Sequence, residues 1–193
     1  MKTAILVDNM YLQNVVNEYG LSGLKPSLFS THLLEPGEEH YMTYIFDALP
    51  YPIVGATPVQ REIQRKKSDY IEAIQYYKRI KVELGYVATK PGRCPRCGET
   101  FMVPVQKQVD VKISVRIMSL AWERIVEKIV LLSGDGDLLP AVRAIEPTGV
   151  IIRLVYGRVG RISANKGLIK ECPEKVELTR EKLEAMAFRP NTD

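Results

Sequence analysis

The sequence predicts an α/β domain built on a mostly parallel sheet with helices on both faces. Three observations carry this. Short apolar runs of strand length alternate with amphipathic helical segments along the chain. Most of those runs are continuously apolar, the pattern of strands buried on both faces. Several end on or near an acid, as ILVD (Ile5–Asp8) and LLSGD (Leu131–Asp135) do. At 193 residues, 46% hydrophobic and 26% charged, the chain is long enough for one such domain with its own core.

The elements follow in order. TAILV (Thr3–Val7) is a first buried strand. From Tyr11 to about Gly20, Leu12, Val15, Val16 and Tyr19 mark one face of a helix. Tyr41–Leu49 reads as a second strand and PYPIVGATP as a Pro/Gly-punctuated loop. Pro58 to Leu84 reads as one long charged helix, its stripe running through Ile63, Tyr70, Ile74, Tyr77 and Ile80 and its end set by Gly85. YVATKPG is a third strand. Residues 91–106 look like an inserted cysteine knuckle, CPRCGETFMVPV, with a short strand of its own. Val109–Ile125 is an amphipathic helix and Lys128–Asp135 a fourth strand. LLPAVRAIEPTG is a helix stopped by Pro147 and Gly149, and Val150–Gly157 is a fifth strand. ISANKGLIKEC is a short helix. The expected domain spans 1–175, and 176–193 reads as a short strand and tail.

Composition removes several classes. No apolar run approaches the ~20 residues that span a bilayer, so no membrane partner is expected. MKTAILVD is too short and reaches Asp8 too soon for a signal peptide, which points to the cytoplasm. There is no GxGxxG or Walker-type loop to cradle a nucleotide cofactor. A phosphotransfer receiver expects paired acids after the first strand, and here Asp8 stands single. The net charge of +4 is permissive for a polyanionic partner.

Parallel sheets gather ligands at the carboxyl ends of their strands. Asp8 and Asp135 fall at such ends, and Asp110 opens the helix after the knuckle. Carboxylates held together repel unless a cation compensates. Mg²⁺ or Mn²⁺ suits them and supports hydrolysis at phosphate. Each acid also has a plain structural role available. Asp8 could cap a helix, Asp110 could favour a helix N-terminus, and Asp137 could cap LLPAV. Those roles do not explain why three separate segments place acids at one sheet edge.

Taken together, ILVDNMYL, KQVDVKISV, VLLSGDGDLLPAV and a strand ending VYG resemble, in that order, the NYN domain family of the PIN-like nuclease superfamily over Thr3–Gly157. The resemblance implies a three-layer Rossmann-like PIN-type fold and metal-dependent endoribonuclease activity with Mg²⁺ or Mn²⁺ as cofactor. Asp8, Asp110, Asp135 and Asp137 would be both the catalytic residues and the metal ligands. Tyr11 takes a near-site position that is often Asn in the family, and Ser133 opens the SGDGD turn beside it. One departure is Arg116, where the family commonly has a further aspartate. It could pair with Asp110 or Asp135, replace the metal, or contact a phosphate. The alternative function is therefore a catalytically lapsed RNA- or protein-binding regulator with Arg116 in the metal niche.

Arg153, Arg158, Arg161 and Lys166 follow or lie in the fifth strand and are the expected RNA-binding residues, since Lys and Arg contacts to phosphate supply affinity. Tyr76, Tyr77 and Tyr156 could stack on single-stranded bases. The charges of the long helix read as a solvated face. Cys94 and Cys97 form a CxxC that supplies two of the four ligands a structural zinc needs. Cys172 could be a third and His32 or His40, otherwise read as loop residues, a fourth. The same knuckle of a second copy could complete the site in a homodimer. A metal-free hairpin with two thiols fits equally.

Overall fold

β1 (Lys2–Asp8) is buried from Thr3 onward, because both faces of this apolar run are covered. β2 (Glu39–Leu49) and β5 (Lys128–Leu132) flank it in parallel. The remaining strands are β3 (Ile80–Arg93), β4 (Thr100–Lys107), β6 (Ile151–Gly157) and β7 (Glu174–Leu178). In this computed structural model, which describes residues 1–21, 23–49 and 57–187, the sheet runs β4-β3-β2-β1-β5-β6-β7, with only β3 and β4 antiparallel. The helices are α1 (Asn9–Glu18), α2 (Phe29–Leu33), α3 (Pro58–Ile74), α4 (Val109–Trp122), α5 (Leu139–Ala144), α6 (Lys166–Glu171) and α7 (Arg180–Met186).

Alternate strand residues point to opposite faces, and two cores result. Ile5, Val7, Ile45, Val130 and Leu132 pack with Leu12, Val15 and Val16 of α1, Phe29 of α2 and Leu183 of α7. Leu6, Phe46, Ile129, Leu131 and Leu154 pack with Ile113 and Ile117 of α4, Val142 of α5 and Leu168 of α6. The fold is the expected three-layer α/β arrangement. No described helix is long and apolar enough to cross a membrane.

Several expectations change. The long helix ends at Ile74, not Leu84. Thr57 opens it with a capping box, but Arg79 turns left-handed and Ile80 onward pairs with Thr43 onward of β2. IKVEL alternates as well as it fits a helical stripe, and tertiary pairing decides. The segment before β2, left unassigned by periodicity, holds a 3-10 turn and α2. The C-terminal segment begins with the expected strand, but a helix follows it over Arg180–Met186. β7 continues the sheet, Thr179 caps α7 by accepting from the Lys182 N–H, and α7 buries Leu183 and Met186 in the core that also holds α1 and α2. Most of the PYPIVGATP loop lies outside the described residues.

A further change concerns the cysteines. Cys94 and Cys97 sit in the tip of a hairpin whose strands pair from Tyr86↔Lys107 to Arg93↔Thr100. The tip is closed by the Gly98 N–H on the Cys94 carbonyl and the Cys94 N–H on the Glu99 carbonyl. Cys172 is buried in the core around α4–α6. His32 lies in α2, and His40 opens β2 at the other sheet edge, bonded to Thr43. Both are therefore in regular elements, not loops. Among the described residues no three His, Cys, Asp or Glu side chains form a metal-holding group, so these residues do not complete a zinc knuckle. The thiols differ instead in their surroundings, Cys97 exposed, Cys94 half-buried and Cys172 buried. Backbone N–H groups of Cys97 and Arg96 lower the Cys94 thiol, while burial pushes Cys172 up to about 11. Thiolates are the reactive form. A disulfide-exchange reagent at pH 8 should thus titrate two thiols quickly and the third only on unfolding. Three equal rates would contradict the burial of Cys172.

Arg153 also departs from expectation. It is 1% exposed, near the amino end of β6, opposite the edge where ligands collect. Its guanidinium binds Glu38 at 2.6 and 2.9 Å and Glu174 at 2.8 Å, and pairs with Glu35 at 2.8 Å. Lys128, on the neighbouring strand, reaches Glu38 at 2.9 Å and Glu174 at 2.7 Å. This buried network holds β5, β6 and β7 to the α2–β2 loop. It leaves no guanidinium N–H directed at RNA.

Candidate functional site

β1 lies between β2 and β5, so the chain order reverses at the carboxyl ends of β1 and β5, where open α/β sheets bind ligands. Asp8 ends β1 there, 8% exposed. It caps α1 by accepting the Tyr11 N–H at 3.1 Å, and its second oxygen accepts from the Ser133 hydroxyl at 3.1 Å. Burial pushes the Asp8 carboxyl up to about 6; those two hydrogen bonds oppose the rise, and the charges of Asp110 and Asp135 add to it.

Ser133 is fully buried directly after β5 and accepts the Asp135 N–H at 3.2 Å, so one hydroxyl couples the two strand ends. Asp135, not Asp137, caps the following 3-10 turn, taking the Asp137 N–H at 2.9 Å. The glycines of SGDGD give close approach. A Cβ on Gly134 would stand 2.4 Å from the Tyr11 ring and 2.9 Å from the Ser163 carbonyl. The Tyr11 hydroxyl, in turn, accepts the Gly157 N–H at 3.0 Å. Tyr11 is thus a wedge between α1, the SGDGD turn and the end of β6. Gly134→Ala should destabilise the fold by about 1–3 kcal/mol through overpacking and displace Tyr11. Urea unfolding measures this, and an unchanged midpoint would mean the turn is slack.

Asp110 sits in the first turn of α4. Burial raises its carboxyl, and the charges of Asp135 and Asp137 raise it further. Asp8, Asp110 and Asp135 line one cavity of about 650 Å³ together with Tyr11, Gly134, Ser163 and the base of the β3–β4 hairpin. Asp137 is exposed at its margin and does not line it. Arg116 does not enter the cluster. It forms an ion pair with Glu83 of β3 and lies over the Tyr44 ring at 4.6 Å. Arg158 and Arg161 are exposed on the loop from β6 to α6, the loop that brings Ser163 to the cavity, and Lys166 is exposed at the start of α6.

The sequence reading passed over Asp47. It is 1% exposed near the carboxyl end of β2 and takes hydrogen bonds from Asn9 at 2.6 Å and Lys67 at 2.7 Å. The signal was available, since YIFDAL carries its acid near a strand end as ILVD does.

The donor set fits a hard divalent cation. The acids offer oxygen only, two of the three resist ionisation because of burial and like charge, and a cation relieves both. Among the described residues no three such side chains stand at ligating distance together.

A family model for the NYN domain matches residues 2–179. No curated protein matches the chain. Among solved structures, the crystal structure of a protein of unknown function from Vibrio parahaemolyticus RIMD 2210633 is similar over 93% of this chain and 94% of its own, at 21% identity and a TM-score of 0.58. That likeness shows a shared fold.

Proposed function

Because the chain belongs to the NYN domain family, we propose that it is a divalent-metal-dependent ribonuclease hydrolysing RNA phosphodiester bonds in the acidic cavity. The observation that carries this reading is the convergence of Asp8, Asp110 and Asp135, from three separate segments, on one cavity at the sheet's switch point. Asp8, Asp110 and Asp135 would hold Mg²⁺ or Mn²⁺, with Asp137 acting from the margin through water. Bound there, the ion supplies Lewis-acid polarisation of a phosphate oxygen and a more acidic water.

The chain's own residues supply orientation and charge. The Ser133 hydroxyl and the Tyr11 N–H fix both Asp8 oxygens, and the Asp137 N–H fixes one oxygen of Asp135. Arg158, Arg161 and Lys166 would draw the RNA backbone toward this edge. The regulator alternative, with Arg116 among the acids, finds no support in the contacts of Arg116, which point to Glu83 and Tyr44. A zinc at Cys94 and Cys97 would need two further ligands, such as the same pair in a second copy.

Mn²⁺ calorimetry on the wild type and Asp135→Asn tests the site, followed by cleavage of a labelled single-stranded RNA. Binding and cleavage that the substitution removes support the nuclease. Absence of metal-dependent cleavage in the wild type overturns it.

A further inference from the structure

A second cavity, of about 410 Å³, opens on the same sheet edge between the start of α1 and α3. Met10, Asn14 and Gln106 line both it and the acidic cavity, so the two are contiguous. Its volume lies within the ~300–1,000 Å³ of small-ligand sites. Resting on the nuclease reading above, we propose that this cavity is a subsite for one unpaired nucleotide of the RNA strand, next to the phosphate being cut.

The lining matches a nucleotide part by part. Tyr70, Met10 and Leu24 give apolar walls for a base. Gln13 and Asn14 present neutral amides, which can donate and accept at base edges, while the Gln106 amide donates to Asp47 at 3.4 Å. Lys66 and Lys67 bring positive charge from α3. Lys67 is bound to the buried Asp47 at 2.7 Å, and that pair together with Asn9 forms a fixed floor. The remaining cation is Lys66. Its side chain is 72% exposed, and its contact with Glu62, at 3.7 Å within one helix, is of the weak surface kind. It can therefore turn to a phosphate. A base enters such a cavity only when it is free of a stacked duplex, which selects single-stranded RNA. Contiguity with the acidic cavity argues for a strand that continues, and against a free nucleotide as the ligand.

The test uses the full chain and two independent sets of variants at exposed or half-exposed helix positions, Gln13→Ala/Asn14→Ala and Lys66→Ala. Fluorescence anisotropy with an eight-nucleotide RNA is measured on the Asp135→Asn background, and AMP, GMP, CMP and UMP are titrated alongside. The amide variant should weaken oligonucleotide binding about tenfold, equivalent to two lost hydrogen bonds. Lys66→Ala should lower the salt dependence by roughly one counterion. With Asp135 restored, the amide variant should lose base preference at one position beside the cut. Unchanged affinity, salt slope and cut-site preference, with cleavage intact, would overturn the subsite and leave the nuclease standing. No cleavage by the wild type, with oligonucleotide binding still weakened by the variants, would overturn the nuclease and leave an RNA-binding cavity. Mononucleotides bound as tightly as the oligonucleotide would overturn the RNA assignment in favour of a free-nucleotide site.

Discussion

Asp8→Asn is expected to reduce metal-dependent cleavage by at least the ~10–100-fold that loss of a mere supporting residue around a metal produces. The same substitution should stabilise the metal-free protein at neutral pH by about 2–3 kcal/mol. The second effect follows from the first residue of the site being buried. Asp8 is shifted from an ordinary 3.8 up to about 6, chiefly by burial. The native state therefore holds the Asp8 proton more tightly than the unfolded chain does. This contribution is fully present below about pH 4 and is lost as pH rises through about 6. Above that, the wild type carries a buried charge that the amide variant does not. Asn also caps helices as well as Asp, so the Tyr11 N–H keeps its acceptor. Denaturant unfolding at pH 4 and pH 7.5, without metal, separates the outcomes. A stability gap that opens with pH, together with lost cleavage, marks a carboxylate kept for chemistry. Equal stability at both pH values and unchanged cleavage would reduce Asp8 to a helix cap.

The site was partly legible in the sequence because its acids sit at elements with strong local signals. Thr3–Val7 and Ile129–Leu132 are apolar runs buried on both faces, and Asp8 and Asp135 follow them directly. The fold class followed from the same runs. What stayed hidden depended on long-range pairing. Ile80–Leu84 fits a helix or a strand, and only β2 alongside decides. Arg153 looks like a basic residue approaching a ligand edge until Glu38 and Glu174, 115 and 21 positions away, are brought to it. For Arg116, helix geometry gives a direction and the fold gives the partner. Six residues beyond Asp110, it is rotated by about 240° around a helix of 3.6 residues per turn, toward β3 and Glu83 and away from the acids.

The buried network gives the largest stability effect expected here. Arg153→Met preserves volume and removes the charge between Glu35, Glu38 and Glu174. Removing one partner of a buried pair leaves the other uncompensated, at a cost of about 3–5 kcal/mol. Lys128 still reaches Glu38 and Glu174 in the variant, which places the expectation at the lower end of that range. The pH dependence carries a sign of its own. Glu38 is desolvated, but bonds from Arg153 and Lys128 outweigh this and hold its carboxyl at about 2, below the ordinary 4.5. A depressed carboxyl stabilises above about pH 4.5, and that contribution is lost as pH falls toward 2. The gap between wild type and Arg153→Met should therefore be widest near neutrality and narrow in acid. Adding Glu38→Gln to Arg153→Met should recover part of the loss, because it removes one stranded charge. Urea unfolding of the wild type and the two variants across pH measures all of this. Cleavage by folded Arg153→Met at low temperature should match the wild type, since the guanidinium lies at the far edge of the sheet. A variant that kept its stability but lost RNA affinity would return Arg153 to the RNA surface, and would mean that the carboxylates around it do not bind it in solution.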